Sequence, residues 1–141
     1  MQSDRRTGLR ICGSRGHPVV RRALIRYARW LRANFSFPVR VPVYLLPGPT
    51  LVTVHGERCS ASFFAPDSAL DEPYIRVATG DYSELRRRRG RDSALAAFIV
   101  SLSHEVLHYQ QWLRAGKTSE RGVSAAATAM LRRYEREVDH P

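Results

Sequence analysis

Apolar residues along this 141-residue chain change their spacing several times, and each change marks a different element. Leu24, Tyr27, Ala28 and Leu31 recur at helical steps, while Arg21, Arg22, Arg26, Arg29 and Arg32 fall largely elsewhere on the wheel. That pattern predicts an amphipathic helix, opened by Pro18 in its first turn and ending near Asn34. Spacing then drops to two. Val39, Val41, Val43 and Leu45 alternate as in a strand, with Pro42 arguing for an edge position because it donates no ladder hydrogen bond. Residues Leu51 to His55 and Cys59 to Phe64 predict a hairpin about Gly56. Tyr74 to Ala78 predicts a further strand, with Ile75 and Val77 on one face and Gly80 and Asp81 closing it. The four arginines Arg86 to Arg89 predict a solvated loop.

Helical spacing returns over residues 92 to 115, with Asp92 or Ser93 as N-cap and Gly116 just past the end. Leu95, Ile99, Leu102, Val106, Tyr109 and Leu113 form its core-facing stripe. A final helix is expected from Thr118 or Ser119 to Val138, favoured by Ala125, Ala126, Ala127 and Ala129. Residues 1 to 17, polar and glycine-punctuated, predict a flexible basic arm before a single domain over residues 18 to 141.

The long helix carries the most specific chemical signal, His104-Glu105-Val106-Leu107-His108. Residues four apart share a helix face, so both imidazoles can grip one zinc ion, with Glu105 placed to act on a water. The plainer reading is a pair of surface histidines on an amphipathic helix. The capped, periodic helical context favours the metal site.

Charge adds a second theme. The net charge is +10, and residues 1 to 40 hold ten arginines against the single acid Asp4. Residues 92 to 141 are balanced, so the basic character belongs to the N-terminal region. Such a region suits weak, non-specific contact with nucleic acid. With 22 arginines against Lys117 alone, a compositional bias toward arginine explains part of it. No apolar run reaches membrane-spanning length, and no apolar stretch follows the N-terminal arginines as in a secretory signal. Cys12 and Cys59 make no disulfide framework, so a reducing cytoplasm is the expected setting and membrane partners are not.

With His104, Glu105 and His108 on a penultimate helix, after a helix and several strands, the chain resembles the zincin metallopeptidases, most closely a minimal gluzincin. The stretch His104 to Trp112, Ser119-Glu120-Arg121-Gly122 and the ending Asp139-His140-Pro141 also resemble small uncharacterised bacterial or phage proteins of this type. The resemblance implies an α+β fold with an N-terminal helix, a small mixed or antiparallel sheet, the motif helix and a C-terminal helix. It implies a zinc-dependent peptidase in which His104 and His108 bind the metal, Glu105 is the general base and Tyr74 to Ala78 is the edge strand that aligns a peptide substrate. A gluzincin takes its third ligand, a glutamate, from the next helix. An antiparallel return at about 1.5 Å per residue puts that level at residues 124 to 127. The chain has Ser124 there, so the third place falls to Glu120, to Glu135 (with Asp139 behind it) or to nothing. Glu120 is preferred, although as a helical side chain it would lean away from the metal level. Loss of the third ligand would leave a pseudoenzyme. A third reading is an arginine-rich nucleic-acid-associated protein.

Overall fold

A computed structural model describes residues 8–67 and 71–138. The ten elements, in order, are β1 (Leu9–Cys12), α1 (Pro18–Asn34), β2 (Val41–Leu46), β3 (Leu51–Val52), β4 (Arg58–Cys59), β5 (Ala61–Phe64), β6 (Tyr74–Ala78), α2 (Tyr82–Arg89), α3 (Arg91–Ala115) and α4 (Val123–Glu137). Among the described residues the fold is α+β, with four helices, a mixed four-stranded sheet and a two-stranded antiparallel pair.

The main sheet runs β1-β2-β6-β5. β1, β2 and β6 are parallel, and β5 closes one edge antiparallel to β6. Register lines up Leu9 with Val41, Val43 with Ile75, and Ile75 with Phe63, which puts the apolar members on one face. α1 and α3 pack on that face, α2 and α4 pack against α3, and Val41, Val43, Ile75 and Val77 are fully buried beneath them. Tyr44, Tyr74 and Phe64 line the other face, with Phe64 stacked on Tyr74.

Several expectations need correction. Leu9–Cys12, inside the segment expected to be a loose arm, forms β1 because Leu9 is apolar enough to be buried in the core. Residues 1 to 7 of that arm, and Asp139 at the other end, lie outside the described residues. β2 is not an edge strand. Val41 N–H donates to Gly8, on the β1 side, so alternation turns the Pro42 nitrogen toward β6. The ladder with β6 starts only at Val43, and no hydrogen bond is forfeited at Pro42. The hairpin about Gly56 forms as β3 and β4 only. Ala61–Phe64 leave it to pair with β6. β6 is therefore internal, and the edge beside the long helix is β5. Arg86 to Arg89 are helical, forming the last turn of α2, which Gly90 at φ +86° joins to α3. The last helix starts at Val123, behind Gly122 at φ +73°, and not at Thr118 or Ser119. The α1 bounds agree with expectation, as does Gly116 closing α3 at φ +71°.

α3 lies at the centre, against α1, α2, α4, β5 and β6. Burial therefore extends beyond the expected stripe to Ala94, Phe98 and Ser103, while Leu113 at the far end is exposed. Two hydroxyls fix the helix. Tyr109 Oη donates to Val39 C=O and accepts from Val39 N–H, tying α3 to the chain entering β2. Ser103 Oγ donates to Ile99 C=O at 2.8 Å and so accepts from Tyr27 Oη of α1.

That last pairing yields an asymmetric prediction. Tyr27→Phe leaves Ser103 with its own donor bond intact, and should destabilise the fold by about 1 kcal/mol. Ser103→Ala leaves a buried Tyr27 O–H without an acceptor, and should be worse, about 2–3 kcal/mol. In urea unfolding the double variant should lose less than the sum of the two. Strict additivity would show that the hydroxyls do not act as a pair.

Candidate metal centre

His104 and His108 leave one face of α3 a turn apart, their ring centroids separated by 4.9 Å. Gly116 reverses the chain, and the loop over residues 116 to 122 runs back along the helix. Its return brings Glu120 over both rings. Glu120 Oε1 lies 2.8 Å from His104 Nε2, and Oε2 lies 2.9 Å from His108 Nε2. One ligand atom from each of the three residues falls within 4.8 Å of the others, so His104, His108 and Glu120 can hold a metal ion.

Gln111, three residues beyond His108 on the same face, was not singled out by the sequence pattern. Its amide orientation is decided by Ser119 in the returning loop. Gln111 Nε2 donates to Ser119 C=O at 2.9 Å, and Gln111 Oε1 accepts from Ser119 N–H at 3.0 Å. The same Oε1 lies 3.0 Å from His108 Nδ1, which must then be the donor. In a neutral ring, Nε2 of His108 carries a lone pair, and it faces a carboxylate oxygen. Two acceptors at 2.9 Å repel unless a cation, either a proton or a metal ion, lies between them.

Glu105 and His108 are only 7% and 6% exposed, although both lie off the apolar stripe. Burial, then the nearby Glu120 charge, pushes the Glu105 carboxyl up to about 8. Burial also pushes Glu120 up, but hydrogen bonds and charge from His104 and His108 outweigh it and hold the carboxyl below its ordinary value.

The group opens into a cleft of about 650 Å³. Edge strand β5 supplies one wall through Ala61 and Phe63, the β3–β4 hairpin extends it with Thr53 and Arg58, and Thr118 and Glu120 form the facing rim. Phe63 is fixed from behind by Tyr109 and Trp112, each 6.2 Å away between ring centroids. The strand beside the site is thus β5, in the place expected for Tyr74 to Ala78.

The alternative third ligands are not brought to the histidines. Ser124 is exposed on the first turn of α4, and is not in the group. Glu135 lines a separate cavity with Arg22, Arg26 and Leu95. The expectation that Glu120 leans away from the metal level fails because Glu120 lies before α4, in a loop whose backbone is free to turn it toward the rings. Comparison of the chain with known protein families, with curated proteins and with solved structures finds no match.

Buried Glu105 should make the metal-free protein sensitive to pH. Its folded value of about 8 exceeds the ordinary 4.5, so the native state keeps a proton that the unfolded chain loses. Stability is then undiminished below about pH 4.5, falls as pH rises through the interval to about 8, and levels off above it. After chelation, Glu105→Gln should flatten this profile and be more stable than wild type at pH 8 by roughly 2–4 kcal/mol. Parallel profiles for the two proteins would show that Glu105 ionises normally.

Proposed function

We propose that the protein is a zinc-dependent peptidase of zincin type, acting on protein or peptide substrates. The observation that carries this reading is the convergence of His104, His108 and Glu120 on one point, with Glu105 beside them in an open cleft. Two imidazoles and one carboxylate form a nitrogen-rich set that suits zinc and not the all-oxygen preference of calcium or magnesium. Zinc sites of this kind hold three protein ligands and leave a fourth position open. His104, His108 and Glu120 would hold the ion, and the Glu120 carboxylate already lies 2.8 Å from one ring nitrogen and 2.9 Å from the other. When bound, zinc supplies Lewis acidity, polarising a carbonyl and making water nucleophilic near neutral pH.

The residues of the chain divide the remaining work. Glu105 takes a proton from the attacking water on its carboxylate and delivers it to the departing amine nitrogen. Its low exposure keeps that carboxylate out of bulk solvent, where the proton would be lost. Among the described residues β5 pairs with β6 alone, so its outer backbone groups are available to align an extended peptide by strand addition. Phe63 and the hairpin bound the space for side chains. A reducing cytoplasm suits Cys12 and Cys59, both of which are free. No helix among the described residues is long and apolar enough to cross a membrane.

The experiment is a paired measurement of zinc content and cleavage of an unfolded protein substrate. Wild type should carry one zinc per chain. His104→Ala, His108→Ala and Glu120→Ala should each lose it. Glu105→Gln should keep zinc and lose about 10²–10⁴-fold in turnover, the scale of a general base. A Glu105→Gln variant that cleaves as fast as wild type removes Glu105 from the chemistry. A wild type that takes up no zinc removes the whole reading.

A further inference from the structure

We infer that Gln111 is the positioning residue of the centre, one side chain that sets both the proton on His108 and the place of the Glu120 loop. The inference rests on the metal-centre reading above and deepens it. Each end of the Gln111 amide has a defined partner. Nε2 is committed to Ser119 C=O, and Oε1 accepts from Ser119 N–H and from His108 Nδ1. An amide turned the other way would oppose two acceptors at Ser119 C=O and two donors at Ser119 N–H. The loop therefore dictates which end of Gln111 faces His108, and Gln111 dictates that the His108 proton resides on Nδ1. Nε2 is left as the nitrogen that presents a lone pair to the metal position.

The coupling also runs the other way. Glu120 is the one exposed member of the group, its side chain 76% open to solvent, and it belongs to a loop. Ser119, its immediate neighbour, is clasped to α3 at both backbone polar groups by Gln111. Within the loop, Ser119 Oγ accepts from Arg121 N–H at 3.2 Å, and Glu120 C=O accepts from Val123 N–H at 3.2 Å. Those two bonds shape the turn but do not attach it to the helix. Gln111 does. A ligand on an untethered loop must be ordered at the moment of metal capture, and the entropy of ordering weakens binding. Partners that orient metal-binding histidines typically matter by 10- to 100-fold in metal affinity.

The test is zinc titration against a chromophoric chelator, with ¹⁵N spectra of the histidine rings in metal-free protein carrying Glu120→Ala, so that no carboxylate faces His108 Nε2. Gln111→Met should weaken zinc binding by about 10- to 100-fold, and His108 should lose its preference for the Nδ1–H form. Gln111→Glu keeps the acceptor for His108 and for Ser119 N–H but cannot donate to Ser119 C=O. It should preserve the Nδ1–H form and fall between wild type and Gln111→Met in affinity. Wild-type affinity together with an unchanged His108 spectrum in Gln111→Met overturns the inference. If wild type binds no zinc, the peptidase reading falls, while the His108 spectra still decide whether Gln111 sets the ring proton.

Discussion

Everything in this molecule is arranged around a helix that is surrounded. α3 touches three other helices and two strands, so its 25 residues must satisfy a core on most sides and still present chemistry on the remaining one. The sheet face under it is fully apolar, and its polar attachments, Tyr109 to Val39 and Ser103 to Tyr27, are closed hydrogen-bonded pairs. Such closure lets a buried helix carry hydroxyls without desolvation loss. It also leaves α3 little freedom to rotate, which fixes the direction in which His104, Glu105 and His108 face.

At that open side the balance of charge is set by proximity. Glu120 lies against both imidazoles, and Glu105, buried in the same cleft, feels its charge. Two carboxylates near one another favour a cation in the space they share, and the same two carboxylates are driven apart in proton affinity. The exposed one, held by the histidines, stays ionised at lower pH, and the buried one keeps its proton to about 8. Two similar groups acquire different roles from environment alone.

Reading the residues in order reveals the local features and misses the long-range ones. The α1 bounds, the Gly116 stop and the shared face of His104 and His108 all follow from helical spacing and glycine at φ > 0, and all are present. Pro42 misled because its cost depends on which neighbour its nitrogen faces, a matter of pairing that spacing along one strand does not contain. β5 and β6 exchanged places for the same reason. Arg86 to Arg89 look like a loop by charge, yet helix propensity and the anchor of buried Tyr82 make them helical. Glu120 was reached by residue type, while the reason against it was a helix assumed to start four or five residues too early. Gln111 was visible only as a polar residue three places from His108, since its partner Ser119 is set by the path of the loop.

Sixteen positions separate His104 from Glu120, so the whole ligand group comes from one short stretch of chain. The cleft wall, by contrast, is drawn from residues 53 to 76, far away in sequence. The candidate metal-ligating group and the wall of the cleft are thus encoded in separate segments. Local contacts form with little loss of chain entropy, so the ligand group belongs to the part of the fold that assembles most readily. The hairpin wall can lengthen, shorten or change its side chains without disturbing the ligands. Descendants of such a chain can vary the shape and lining of the cleft while inheriting the same two histidines and glutamate.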